Sequence, residues 1–302
     1  MEKKAFRSGF ASVVGRPNVG KSTLINHFLG QKIAAVSPRP QTTIRNQLGI
    51  LSTDAFQLIF IDTPGIHKPL SKLGESMNDA ALATLGDVDC VLWLVDVTTA
   101  PTDQDRNVAE RLQAANIQKN GLLVLNKKDQ ASPAVLQENQ AAYQELFPDV
   151  PCFLISSKTG DGCDALLEKV LAMLPEGPAF YDPEQITDLY EREIASDLIR
   201  ESLLKNLEDE VPHAVAVQIE EFKDRSAQNS YILATLLLER EGHKGILIGK
   251  NGEMIKKIGS DARREIELMT GRKIYLELKV KVYKNWKNNA AILRSLGYIR
   301  DR

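Results

Sequence analysis

Apolar runs of six or seven residues recur along the first 175 positions: FASVVG (10–15), FQLIFID (56–62), CVLWLVD (90–96), GLLVLNK (121–127) and CFLISS (152–157). Runs this short and this continuous predict strands buried on both faces. Each leads into a loop or a stretch with helical spacing, such as KSTLINHFLG or DALLEKVLAML. Alternating strands and helices predict an α/β fold: a mostly parallel sheet covered on both faces. Ligands of such sheets gather at the carboxyl ends of the strands.

The pattern changes after LPEGPAFYDPEQITD (174–188), whose three prolines and one glycine predict a linker. Tyr190, Ile194 and Leu198, with Ile199, Leu203 and Leu207, then recur at helical spacing. AVAVQIEEF (214–222) and YILATLLLER (231–240) read as strands, and residues 253–269 as a helix with Ile255, Ile258, Ala262 and Ile266 on one face. In YLELKVKVY (275–283), Leu276, Leu278, Val280 and Val282 alternate with Glu277, Lys279 and Lys281, as in a half-buried strand. The expected organisation is an α/β domain over 1–175, a linker over 176–186 and a smaller α+β domain over 187–302.

Composition adds limits. The 302 residues are 43% hydrophobic and 26% charged, in the ordinary globular range. No apolar run approaches the ~20 residues needed to span a bilayer. MEKKAFRSGF shows no signal-peptide core, and Cys90, Cys152 and Cys163 are odd in number without metal-ligand spacing. A cytoplasmic protein with reduced, structural thiols is the expectation. Charge is unevenly spread: residues 181–241 hold 6 Lys+Arg against 15 Asp+Glu, and residues 242–302 hold 15 against 6. The basic end suits a polyanion partner or a merely solvated face, and charge alone leaves both open.

The specific chemistry begins at GRPNVGKST: Gly15, Arg16, Pro17, Asn18, Val19, Gly20, Lys21, Ser22 and Thr23. Two glycines separated by four residues, then Lys-Ser, between a strand and a helix, form a phosphate-binding loop. The glycines let successive backbone N–H groups curve around an anion at a helix N-terminus. Lys21 carries charge to the outer phosphates, and the Ser22 hydroxyl is a Mg2+ ligand. NKKD (Asn126, Lys127, Lys128, Asp129) decides the base. A carboxylate at Asp129 accepts from both guanine donors, which adenine lacks. Asn126 would tie this loop to the phosphate loop, and the Lys127 stem would cover the base. DTPG (Asp62, Thr63, Pro64, Gly65) ends another strand, with Asp62 expected to hold Mg2+ through water and the Gly65 N–H to meet the γ-phosphate. SSKTG places Ser157 and Lys158 near the base. Thr42 or Thr43 would meet Mg2+ when the γ-phosphate is present, Thr43 being favoured.

These segments, in this order, resemble the translation-factor class of GTPases. GRPNVGKSTL, PQTT and DTPGIHKP are most similar to its Era family, and the resemblance extends through GKNGEMIKKIG. One departure is Ile44, where arginine is expected. Ile66 stands where Ras-like GTPases place a glutamine that orients the attacking water. An isoleucine cannot do so, which predicts slow intrinsic hydrolysis. Asn18 matches the asparagine through which similar GTPases bind K+.

Gly249, Lys250, Asn251 and Gly252 form a second glycine loop. The GxxG spacing is weak alone, but here two strands precede it and one follows. That order resembles the bacterial-type KH domain, whose GxxG loop joins two helices and clamps four nucleotides. Lys250, Lys256, Lys257 and Arg263 would face the RNA, with a solvated helix the plain alternative for the last three and for Arg264. Tyr275, Tyr283 and Trp286 are expected in the core. The resemblance implies a GTP-hydrolysing switch that binds small-subunit ribosomal RNA near its 3′ end and acts in subunit assembly. A monomer is the expectation. A GTP-dependent peripheral protein of the inner-membrane surface is the second reading.

Overall fold

In the computed structural model, residues 5–36 and 42–299 are described; Pro40 and Gln41 of PQTT lie outside them. The chain divides into two compact units: Met1–Ala34, Thr43–Lys68 and Met77–Asp188 in the first, and Ala35–Thr42, Pro69–Ser76 and Leu189–Arg302 in the second.

The first unit contains β1 (Arg7–Val14), α1 (Lys21–Leu29), β2 (Gln47–Ser52), β3 (Phe56–Asp62), most of α2 (Lys72–Ala83), β4 (Cys90–Asp96), α3 (Asp103–Ala114), β5 (Gly121–Asn126), α4 (Pro133–Leu146), β6 (Cys152–Leu154) and α5 (Cys163–Met173). Its sheet runs β2-β3-β1-β4-β5-β6. All neighbours are parallel except β2, which is antiparallel to β3. Alternation along β4 shows how the two faces are filled. Cys90, Leu92 and Leu94 join α1 and α5 in one cluster, while Val91, Trp93 and Val95 join α2, α3 and α4 in the other. The chain leaves β1 for β3 on one side and later β4 on the other, so the loop after β1 sits where the strand order reverses.

Two features differ from the expected organisation. β2 is an additional strand, because QLGILS follows a polar loop and its pattern reads as a continuation of it. The linker is not a free spacer either. The Gly177 N–H donates to the Phe6 carbonyl at 3.1 Å, and Ile50 N–H donates to Ile186 O at 2.9 Å. The fully buried Gln57 side chain accepts from the Phe180 and Tyr181 N–H groups at 2.7 and 2.9 Å. It also donates to the Tyr181 carbonyl at 2.9 Å. Residues 176–188 therefore form a strap that satisfies part of the edge strand β2.

The second unit contains α6 (Glu191–Asn206), β7 (Val215–Ser226), β8 (Asn229–Leu238), α7 (Gly242–Ile248), α8 (Glu253–Thr270), β9 (Lys273–Val282) and α9 (Ala290–Ser295). β7 pairs antiparallel with β8, and β8 parallel with β9, leaving β9 as an edge. Ile258, Ala262 and Ile266 of α8 join Leu198, Ile199 and Leu203 of α6 in a core separate from those of the first unit. Trp286 is buried as expected, its Nε1 donating to the Ala214 carbonyl at 3.1 Å. The thiols are free, and burial pushes Cys90 up to about 12 and Cys152 and Cys163 up to about 11, so none is a ready nucleophile.

Candidate functional site

The candidate nucleotide site is assembled from the carboxyl ends of β1, β3 and β5. Gly15 and Gly20 adopt φ of 152° and 105°, and a Cβ at Gly20 would lie 2.3 Å from the Asn126 amide nitrogen. That close approach is what the glycine permits. Asn126 Nδ2 donates to the Val19 carbonyl at 2.7 Å and to Ser157 Oγ at 2.9 Å, while its Oδ1 accepts from the Ser157 N–H at 2.9 Å. One buried side chain thus ties together NKKD, SSKTG and the phosphate loop, the role that the sequence pattern predicts for Asn126.

Lys21 is buried, and its Nζ donates to the carbonyls of Gly15 and Arg16 at 3.2 and 3.1 Å. Burial pushes its pKa down to about 8, against the opposing pull of Asp62. Ser22 Oγ donates to Asp62 Oδ2 at 2.6 Å, and Thr43 Oγ1 lies 3.1 Å from Ser22 Oγ and 3.3 Å from the same carboxylate oxygen. Two hydroxyls and a carboxylate are a hard-oxygen donor set, which fits Mg2+ shared with substrate phosphates. Of the two threonines, Thr43 is the one beside Ser22 and Asp62. Gly65 is packed on the phosphate loop: a Cβ there would meet the Pro17 nitrogen at 2.6 Å.

Asp129 is exposed, and a hydrogen bond from Ser156 holds its carboxyl below the usual range despite slight desolvation. It stays an acceptor at neutral pH. Lys127, at φ 69°, pairs with Asp96 at 2.6 Å, and the exposed Lys158 adds favourable charge near Asp129.

Several expected contacts are redirected. Ile66 is 1% exposed and packs with Val14, Ala81 and Trp93, so its side chain belongs to the core; its N–H bonds the Gly15 carbonyl at 3.2 Å. The Thr63 hydroxyl donates to the Val13 carbonyl at 2.7 Å, joining β3 to β1. The Val19 side chain is core. Lys128 pairs with Asp161 at 2.7 Å and braces the base loop. The Arg16 guanidinium turns to Asp105 at 3.1 Å and Thr99 at 3.3 Å, leaving its backbone for the loop. Asp96 and Asp105 hold the side chains of Lys127 and Arg16, and the motifs do not flag them. The available signal for Asp96 is its place at the end of β4; for Asp105 it is the capping-box spacing Thr102-x-x-Asp105 at the start of α3, where its carboxylate accepts from the Thr102 N–H at 3.0 Å.

In the second unit, Gly249, Lys250, Asn251 and Gly252 join α7 to α8. Gly249, Asn251 and Gly252 all have positive φ, 74°, 53° and 78°. Gly249 is closed in, a Cβ meeting Met254 Cβ at 2.7 Å, whereas Gly252 faces open space. A cleft of about 360 Å³ follows, lined by Ile255, Lys256, Gly259, Ser260 and Arg263 of α8 and by Leu276 and Leu278 of β9. Its apolar floor and cationic rim suit bases and phosphates respectively. Lys257 is exposed but does not line the cleft, and Arg264 lies 3.8 Å from Glu265. Tyr275 is 63% exposed, not core.

A phosphate loop, an exposed carboxylate at the end of NKKD and a GxxG unit define a GTPase joined to a KH domain. Sequence families agree: residues 10–127 match the model of a 50S ribosome-binding GTPase, and residues 210–287 that of a KH domain. The chain belongs to the GTPase Era family. It is 47% identical to GTPase Era of Ruminiclostridium cellulolyticum over 97% of this chain and 98% of that one, and 45% identical to that of Geotalea uraniireducens over 99% and 100%. Two solved structures superpose with a TM-score of 0.91 at 35% identity, covering 97% of this chain and 99% of theirs. One is Era with MgGDPNP and nucleotides 1506–1542 of 16S ribosomal RNA; the other is a tyrosine-to-alanine variant of Aquifex aeolicus Era bound to GDP·AlF4−. The chain is a GTPase.

Proposed function

We propose that this GTPase is a nucleotide-gated binder of small-subunit ribosomal RNA near its 3′ end, acting in assembly of the small subunit. The observation that carries the reading is the α8–β9 cleft beside an open Gly252, in a chain alike over nearly its whole length to an Era solved with a 16S segment. The 50S particle named for the broader GTPase family concerns only residues 10–127.

Ser22, Thr43 and Asp62, the last through water, would hold Mg2+, which when bound neutralises charge developing on the phosphates. Backbone N–H groups of Gly15–Ser22 and the Lys21 ammonium bind the phosphates. Asp129 accepts from guanine while Asn126 keeps its loop in place. Ile66, being core, offers nothing to the attacking water, which supports slow unassisted turnover positioned by backbone or by a partner. Asn18 is the candidate K+ contact; equal turnover in matched KCl and NaCl would remove that role. The γ-phosphate would act on the segment holding Thr42 and Thr43 and on the loop after Gly65.

The test is crosslinking to cellular RNA with a non-hydrolysable GTP analogue and with GDP, followed by sequencing. Enrichment at the 16S 3′ end with the analogue, lost with GDP, is expected; diffuse binding indifferent to nucleotide would refute the coupling. The membrane-surface reading gains nothing from the comparisons. Among the described residues no helix is long and apolar enough to cross a membrane.

A further inference from the structure

Tyr231 of β8 and Tyr275 of β9 occupy directly paired positions in the parallel ladder. Their rings stack at 5.7 Å between centroids with 23° between planes. The Arg225 guanidinium lies over both, 4.6 Å from the Tyr231 ring and 5.8 Å from the Tyr275 ring. A second cleft, of about 410 Å³, opens beside them, lined by Arg225, Asn229, Lys273 and Tyr275 among others. Arg225 and Lys273 are exposed. Of the neighbouring carboxylates, Glu277 accepts from the Tyr231 hydroxyl at 2.8 Å and so belongs to the tyrosine pair, while Asp224 pairs with Arg272 and Glu221 with Lys223.

The Tyr275 ring is 63% exposed and is held by its stack on Tyr231, so it presents a fixed aromatic surface to solvent. Tyr275 is adjacent in sequence to Leu276, which lines the GxxG cleft, and successive strand residues point to opposite faces. A polymer that leaves that cleft over the edge of β9 therefore meets the Tyr275 ring next. The ring offers a π-face to any base, and the two cations flank it with charge for phosphate.

We propose that Tyr275, Arg225 and Lys273 form a second RNA contact, where a nucleotide flanking the GxxG-clamped segment stacks on Tyr275. Arg225 holds the tyrosine pair flat and, with Lys273, meets the sugar-phosphate chain. The contact is tolerant of sequence, since stacking reads no base edge. It rests on the RNA-binding reading above, and the test separates the two.

The full-length protein, loaded with Mg2+ and the non-hydrolysable GTP analogue, is titrated by fluorescence anisotropy with two RNA probes: the 16S segment 1506–1542, and a single-stranded fragment of about four nucleotides, the length a GxxG cleft clamps. A poly-glutamate peptide serves as a third, protein-like probe. Tyr275→Thr keeps a strand-favouring residue, and its melting temperature checks the fold. It should weaken the long probe roughly 5- to 100-fold, the range for losing one stacked base. Binding of the short probe should not change, and Tyr275→Phe should behave as the parent. Arg225→Gln with Lys273→Gln should flatten the salt dependence for the long probe. Gly252→Asp is the control for the cleft and should weaken both RNA probes. If Gly252→Asp abolishes binding while Tyr275→Thr leaves the long probe untouched, the stacking contact is refuted and the cleft stands. Failure of both RNA probes to bind the parent protein sinks the RNA reading and this contact together. If Tyr275→Thr loses only the acidic peptide, with RNA unaffected, the proposal is overturned in favour of a protein partner.

Discussion

At the scale of single residues, the candidate guanine site would depend on groups whose roles follow from their donors and acceptors. Asp129 is exposed, and the bond from Ser156 holds its carboxyl below the usual range, so it would offer guanine two ionised acceptors. Asp129→Asn should weaken GTP roughly 100-fold or more, two charge-assisted bonds being lost, as read by titration with a fluorescent GTP. Lys21 supplies a pH signature. Its folded pKa of about 8 lies below the unfolded 10.5, so between those values the unfolded chain binds more protons and stability rises with pH. Below about pH 8 the cost of burying the ammonium is fully present. In nucleotide-free protein with EDTA, the urea midpoint should therefore climb from pH 7.5 to 9.5, and climb less in Lys21→Met. Residue types at fixed spacing make this site legible in the sequence: GRPNVGKST and NKKD state their chemistry locally. Asp105 is only half legible there: the spacing Thr102-x-x-Asp105 marks a capping box, but its bonds to Arg16 and Tyr143 reach residues 89 and 38 positions away.

Elements are legible where burial is two-sided. β1, β3, β4 and β5 each carry a continuous apolar run because helices cover both faces, and their bounds fall within a few residues of the expected ones. β2 is hidden because its strand identity comes from pairing with β3, register Leu48↔Ile61 and Ile50↔Ile59, not from its own pattern. The strap departs from the expected linker for a similar reason. Prolines mark a break in regular structure but do not say whether the segment is anchored. Gln57→Leu would leave the Phe180 and Tyr181 N–H groups without their acceptor, and should cost about 2 kcal/mol in urea unfolding. The same logic sets a boundary: a fragment ending at 188 should bind GTP as the full chain does, whereas one ending at 175 should melt earlier and bind less. Equal melting of the two would show the strap to be dispensable. In the second unit, α7 is only a turn or two long, and its helical state is set by packing of Leu247 into the core.

For the whole molecule, two units with separate cores and two glycine loops mean two binding chemistries in one chain. GTP turnover should be slow in the isolated protein, below about 1 s⁻¹, because Ile66 is committed to the core and cannot act as the water-orienting glutamine does. Stopped-flow phosphate release measures it, and a faster rate would mean another residue positions the water. Residue type, spacing and hydrophobic period are enough to set the α/β class, the phosphate loop, the base preference and the KH order of elements. It takes the three-dimensional fold to establish that Thr43 is the threonine beside Ser22 and Asp62, and that Ile66 turns inward. The fold also assigns residues 176–188 to the first unit and keeps Tyr275 at the surface on Tyr231. Each of those is a contact between residues distant in the chain, and no local pattern encodes which of two faces, or which of two neighbours, a side chain will meet.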